Sequence, residues 1–454
     1  MKRVLFTMLL VCFTATPALA TDTRIMSMGG KEKAWTVTDE VSIRYFPAAV
    51  LHFPNTVYVE AGMSPVYALP DHDGSNVPYN VGFAGHYGLG KNVVLAVFGS
   101  SLSRQLSSDL MTRAFGGQGD WATMGVDASA GDQTGPQAIN NADHKGGFLV
   151  GFRSGKTRIG VGASIWGDRY SVDKPETSHA LKGALFVEGS LGIGYDLSET
   201  SGFDIGLKVG AGKFDDEKYV GGASPVVTRF KDDTQFSVDA YARGIFNMLG
   251  EQFIPYVNIG YEGGGVAFNK DNGVKGEYSG FHLVLGTDFR IKPLDNVFIY
   301  PGIGLAIMTD SLTEGINKAS ETIQDELALV APFFSVSLDA RLASWFSLRF
   351  GARQSVLFNT RYHNADRVNQ GKDHSTLTEF LLGAGMHFGP VDIELMLNPA
   401  WFMEGFWGGD DDGKTEIVMV TEEGEFVDSN GQVGNQVQKY GDGFASQLAI
   451  RLTW

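Results

Sequence analysis

The chain has 454 residues, with 52 acidic against 36 basic side chains and a formal net charge of −16. Such acidity makes nucleic acid a poor partner, and a single cysteine excludes a disulfide scaffold or a thiolate metal centre. Glycine (59), phenylalanine (31) and tyrosine (15) are abundant, yet no apolar run after residue 20 is long enough for a membrane helix.

The chain opens with "MKRVLFTMLLVCFTATPALA". Lys2 and Arg3, an apolar run from Val4 to Phe13 and the small-residue close Ala18-Leu19-Ala20 predict a secretory signal cleaved after Ala20. Cys12 follows bulky Val11 inside the apolar run, which does not suit a lipoprotein cysteine. Cleavage removes the only cysteine and two positive charges, taking the net charge from −16 to −18.

Residues 21–54 form a second unit, a plug-like or periplasmic segment. Trp35, Ile43, Tyr45, Phe46 and Phe53 argue against simple disorder, which is the alternative. Pro47 starts a helical turn that Ala48, Ala49, Val50 and Leu51 extend, with Asp39 or Ser42 as caps. Arg24, Lys31, Lys33 and Arg44 are available to pair with carboxylates elsewhere.

From Thr56 to the end, about sixteen segments alternate with period two, among them "TVYVEAG", "TRIGVGASIWG", "FDIGLKVGAG", "FSLRFGARQSV" and "VDIELMLNPAW". Tight turns fall at Gly90 to Asn92, Gly155 to Thr157, Leu197 to Gly202, Met248 to Gln252, Pro293 to Asn296, Ala343 to Trp345 and Gly389 to Val391. Between them the connections are longer, the two longest from about Leu102 to Lys145 and from Gly405 to Gly441. Strict alternation of short and long connections predicts an all-β transmembrane antiparallel barrel of about sixteen strands, with fourteen as the alternative, over residues 55–454 of a Gram-negative outer membrane. The tight turns then face the periplasm. A soluble sandwich or propeller would alternate too, but would not sort its loops by parity.

The inward face carries Asp204, Lys208, Asp239, Arg243, Asp288, Arg290, Asp339, Arg341, Arg349, Arg353, Asp392, Glu394 and Arg451. Most sit toward the tight-turn ends of their strands, which predicts a ring of mixed charge in the lower lumen beneath a wall richer in glycine and aromatics. The ring reads as a cross-strand salt-bridge ladder, as a seat for a plug, or as a charge-selective constriction.

The final strand, "FASQLAIRLTW", puts Phe444, Leu448, Ile450, Leu452 and Trp454 on one apolar face. It must close the barrel against the first strand, because a lipid bilayer tolerates no unpaired edge. A last strand with a terminal aromatic resembles the signal that the barrel insertion machinery reads in outer-membrane barrels generally.

Several motif-like stretches carry less. "GFRSGKT", Gly151 to Thr157, is one residue short of a phosphate-binding loop and reads as a hairpin turn. The acidic stretches Asp71 to Gly74 and Gly408 to Lys414 lack the spacing of a defined calcium loop, so no metal site is assigned. "TEIVMVTEEGEFVDSN" predicts an extra hairpin in the last outer loop, with Glu416, Glu422, Glu423, Glu425 and Asp428 as a negative lid. No nucleophile elbow or catalytic group is apparent, and no cofactor is implied.

Gly29-Gly30, Asp39-Glu40 and Pro47-Ala48 resemble the start of the long-chain fatty-acid transporter family and of the related PorV-like proteins of type IX secretion. The resemblance covers this segment and the general barrel, and Phe46 replaces the family's Asn before the proline. It implies that Gly29, Gly30, Asp39 and Pro47 belong to a plug, to which the aromatic and basic content of the segment adds Trp35, Phe46 and Arg44. The function expected is an outer-membrane channel for small or amphipathic solutes, plugged or constricted, in contact with lipid and lipopolysaccharide. A non-conducting barrel that serves as a docking or secretion-linked partner is the alternative.

Overall fold

The computed structural model describes residues 22–30, 33–63, 66–68, 79–102, 144–168, 179–220, 226–248, 250–269, 274–315, 322–363, 368–397, 416–418, 426–427, 433–434, 437–439 and 445–454. The secretory signal, Lys31, Phe444, both calcium-like acidic stretches and most of the two longest connections lie outside the described residues.

Sixteen antiparallel strands close into one barrel. In chain order they are β1 (Thr56–Met63), β2 (Tyr79–Gly88), β3 (Val93–Leu102), β4 (His144–Ser154), β5 (Thr157–Asp168), β6 (His179–Asp196), β7 (Gly202–Val220) and β8 (Val226–Met248). There follow β9 (Glu251–Asn269), β10 (Val274–Leu294), β11 (Val297–Gly315), β12 (Thr322–Ala343), β13 (Phe346–His363), β14 (Val368–Phe388), β15 (Val391–Leu397) and β16 (Ala445–Thr453). Closure runs through β1 and β16, with Thr56 opposite Thr453 and Val59 opposite Ile450. The expected sixteen strands are present.

Alternation fixes the two faces. On β5, Ile159 and Val161 are 40% and 47% exposed, while Arg158 before them and Ser164 after them are buried. On β10, Leu285 and Phe289 point out, and Val284 and Asp288 are buried inside. Leu448, Ile450, Leu452 and Trp454 are all exposed, as the end-strand pattern predicts. Near the tight turns Tyr87, Phe152, Trp345 and Phe388 stand on the outside, where aromatic side chains suit a membrane–water boundary.

All seven tight turns are present. Four carry a glycine in the left-handed region, Gly90, Gly155, Gly250 and Gly389, a conformation that closes a short hairpin and that other residues adopt only at a cost. The "GFRSGKT" stretch is one of these hairpins: β4 and β5 pair from His144 to Ser154 across it.

At the opposite end the structure departs from expectation. Strands β6 to β14 run 18 to 23 residues, against about 9–11 needed to span a bilayer. Stretches such as "KFDDEKYV" at the end of β7 pair as ladder, although the sequence assigns them to loops. Outside lipid both faces are wet, so the apolar alternation disappears while the backbone hydrogen bonds persist. The extra hairpin also pairs differently. Glu416–Val418 lies against Val437–Lys439, which also takes Val66–Ala68, and Phe426–Val427 pairs with Val433–Gly434. The wider pairing places Lys439 across from Glu416, where a tight hairpin brings only the acidic run.

Residues 22–30 and 33–54 contact inward-facing residues around much of the barrel. They form α1 (Asp22–Met26), α2 (Lys33–Thr36) and two 3-10 turns, Glu40–Arg44 and Pro47–His52. Ile25, Met28, Trp35, Val41, Tyr45 and Phe46 join wall residues Tyr241, Tyr256, Val284 and Phe333 in one apolar cluster.

Candidate functional site

The segment owes its shape to local signals. Asp39 is extended (φ −139°) and its carboxylate accepts from the Glu40 amide at 2.7 Å. The Ser42 hydroxyl accepts from the Asp39 amide at 3.0 Å, completing a capping box around the first 3-10 turn. Pro47 opens the second turn, its missing N–H costing nothing there. Gly29 and Gly30 both have φ above 100°, which turns the chain between α1 and α2.

The wall beneath carries the charges. Asp339 and Arg349 are cross-strand partners with Nε 3.2 Å from Oδ1, and Arg349 also grips Glu394 with both terminal nitrogens. Asp392 faces Arg451 on β16 at 2.5 Å and His387 at 2.7 Å. On the other side Asp204 lies between Arg243 (2.9 Å) and Arg158 (3.1 Å). Asp239 sits opposite Lys208 in register and 3.4 Å from His282. These pairs form cross-strand ladders, and the segment bonds to them as well.

Lys33 is 1% exposed, and its ammonium reaches Asp288 at 2.8 Å and the Ser335 hydroxyl at 2.9 Å. Thr36 donates to the same Asp288 carboxylate at 2.5 Å. Arg24 joins Asp39 within the segment (2.7 Å) to Asp339 on the wall (3.0 Å). Glu40 accepts from Arg451 at 2.8 Å. Arg243 donates to the Trp35 carbonyl at 3.2 Å, with its guanidinium 4.5 Å from the Phe46 ring. Ser337 donates to the Met28 carbonyl, Glu60 accepts from Thr23, and Arg158 donates to His52 Nε2 at 2.7 Å. Trp35 packs on Tyr45, Tyr241 and Tyr256 at 5.4 to 6.2 Å. Lys208 lies over the Tyr45 ring at 5.4 Å.

Burial pushes the Glu40 carboxyl up to about 8, Asp39 adding to the rise and Arg451 opposing it.

Two members of the predicted ring stand apart. Arg341 is exposed at its tight turn and donates to the Ser344 carbonyl, because it lies one step further down the wall than Asp339. Arg290 turns to Gln252 (3.2 Å) and to the Phe298 ring (4.3 Å) and makes no described contact with the segment. Arg353 is buried on the wall, and Arg44 ends the first 3-10 turn half-buried.

Glu60 and Arg158 were not singled out by pattern. The glycines were expected higher on the wall, yet several sit where the segment presses closest. A Cβ at Gly206 would overlap the Tyr45 carbonyl, and one at Gly351 would overlap the backbone of Met28 and Gly29. Inward glycines at the ring's level were the available signal, since a strand interior gains nothing from glycine except close approach.

No protein-family profile and no curated protein matches this sequence. Among solved structures it is similar to the toluene transporter TodX of Pseudomonas putida, at 9% identity over 97% of this chain and 99% of that one, with a TM-score of 0.38. The toluene transporter TbuX of Ralstonia pickettii gives 9% identity over 97% and 100%, with a TM-score of 0.36. The ferric-catecholate import receptor Fiu of E. coli K12 gives 8% over 88% and 81%, with a TM-score of 0.35.

Proposed function

We propose that the protein is an outer-membrane channel for small or amphipathic solutes, held closed near its tight-turn end by residues 22–54. An apolar outer face and a tight-turn aromatic belt support insertion in a bilayer surrounded by lipid and lipopolysaccharide. Sixteen strands enclose a lumen wide enough for an aqueous channel unless something fills it. The observation that carries the closed state is Lys33, a fully buried ammonium inside a barrel, paired with Asp288 of the wall. A charge so placed is tolerable only while its partner stays in reach, so the segment is either seated or displaced, with little between.

Mixed charge on the wall serves as the seat, and rigidifies it. Transport then requires the segment to shift, which suits a slow, solute-triggered opening rather than a permanent pore. The segment's resemblance to the fatty-acid transporter family favours hydrophobic or amphipathic solutes over sugars.

Uptake into proteoliposomes tests the solute class. Entry of amphipathic solutes above protein-free vesicles, with exclusion of bulky sugars, is the expected result. Vesicles no more permeable than protein-free controls would instead favour a docking barrel. For that role the ladders of β6 to β14, which outrun the bilayer, would supply the platform.

A further inference from the structure

A cavity of about 730 Å³ opens beside the segment at the tight-turn mouth, reached past Ser198 to Gly202. Its charge runs against that of the protein. The chain carries a net −16, yet Arg24, Arg153, Lys156, Arg158, Arg243 and Arg290 line this one space. The three lining carboxylates are Asp196, Glu199 and Asp204. Asp204 is already shared by Arg158 and Arg243, and Asp196 by Arg158 (2.9 Å) and Arg153 (3.6 Å).

The deeper arginines are incompletely used. Arg243 is 3% exposed and commits Nε to Asp204 and Nη1 to the Trp35 carbonyl, leaving Nη2 buried with no hydrogen-bond partner among the described residues. Nε of Arg290 and Nε of Arg24 are buried and unpartnered there in the same way. A buried N–H left without an acceptor costs about 1–3 kcal/mol, more on a charged group. The three residues that carry them all line one cavity, which favours an acceptor there that also carries negative charge. Lysine and arginine at the rim would draw such an acceptor in from solvent.

We propose that this cavity binds a small anion through a carboxylate or phosphate group, with Arg243 and Arg290 as its principal donors. The site adds a ligand class to the channel reading, and rests on it only for which side of the membrane it faces. Two sources share this chemistry, a free soluble anion and the head of an amphipathic acid in transit. Because the segment supplies Arg24 and Thr36 to Thr38 to the same walls, occupancy also bears on how firmly the segment sits.

Equilibrium calorimetry on the purified full-length barrel in detergent tests the site without requiring conduction, so its failure leaves the channel reading intact. The probes are inorganic phosphate, succinate and hexanoate, titrated at constant ionic strength so that screening does not imitate binding. Saturable binding of at least one is expected. Preference for phosphate and succinate assigns the site to a free anion, and preference for hexanoate assigns it to an amphipathic acid. Arg243→Gln and Arg290→Gln should each weaken binding roughly tenfold or more, the loss of one charge-assisted bond. Arg290→Gln is the decisive variant, because Arg290 makes no described contact with the segment. Lys292→Gln, at an exposed turn outside the cavity, should bind like the parent. The proposal is overturned if no probe binds saturably, or if folded Arg290→Gln binds as tightly as the parent.

Discussion

Lys33→Met should unseat the segment without unfolding the barrel. The methionine keeps most of the side chain's volume but removes the ammonium, leaving Asp288, 2% exposed, with the Thr36 hydroxyl as its remaining described partner from the segment. Breaking a buried pair from one side costs about 3–5 kcal/mol, because the abandoned charge stays desolvated. Here the cost falls on the seated state alone, since displacement returns Asp288 to a watery lumen. At 1.4 kcal/mol per factor of ten, the seated-to-displaced ratio should drop by roughly a hundred- to a few-thousand-fold. Planar-bilayer recording reads this as open probability. Asp288→Asn alone should open the pore in the same direction. The double variant removes both charges and keeps an acceptor for Thr36, so it should close again toward the parent. If the two single effects simply add in the double variant, the ion pair does not hold the seat and this reasoning fails.

Gly206→Val should fold, since valine suits a strand, but should raise conductance by pushing the Tyr45 carbonyl off the wall; outward Gly189→Ala, with open space around it, should leave conductance at the parent level. Leu338→Arg places a charge on the lipid face and should cost about 2–4 kcal/mol if near the bilayer midplane, read by urea unfolding in vesicles. Ser337→Arg points inward, but its site is fully buried against the Met28 carbonyl, so it should release the segment and raise conductance while the barrel persists. Seating lifts the Glu40 carboxyl from an ordinary value near 4.5 to about 8, so the seated state holds a proton that the displaced state releases. His52 of the segment works the other way, since seating holds its imidazole down to about 4 from 6.5, so closure should weaken chiefly as pH rises from about 6.5 through 8, and Glu40→Gln should flatten that loss.

The barrel was legible because lipid imposes a strict period of two. Ile159, Val161 and Ile165 cannot face inward without burying Arg158 in hydrocarbon, so register follows from the residues alone. The long ladders were not legible, because beyond the membrane nothing forces "KFDDEKYV" to alternate. The ring's members were mostly visible, as charges on inward positions near tight turns. Their partners were not, since Lys33 and Asp288 lie 255 positions apart and only closure of the barrel brings them together. Glu60 and Arg158 look like ordinary lumen charges until Thr23 and His52 arrive beside them. Arg341 shares the parity of Asp339, and only its depth on the wall takes it out of the network.

Removing residues 21–50 behind an intact secretory signal tests the central claim most directly. No strand is touched, so the barrel should still insert. Single-channel recording should then show a steady conductance far above that of the full chain, with Lys33→Met between the two. A truncated barrel that folds and conducts no more than the parent would contradict closure by this segment.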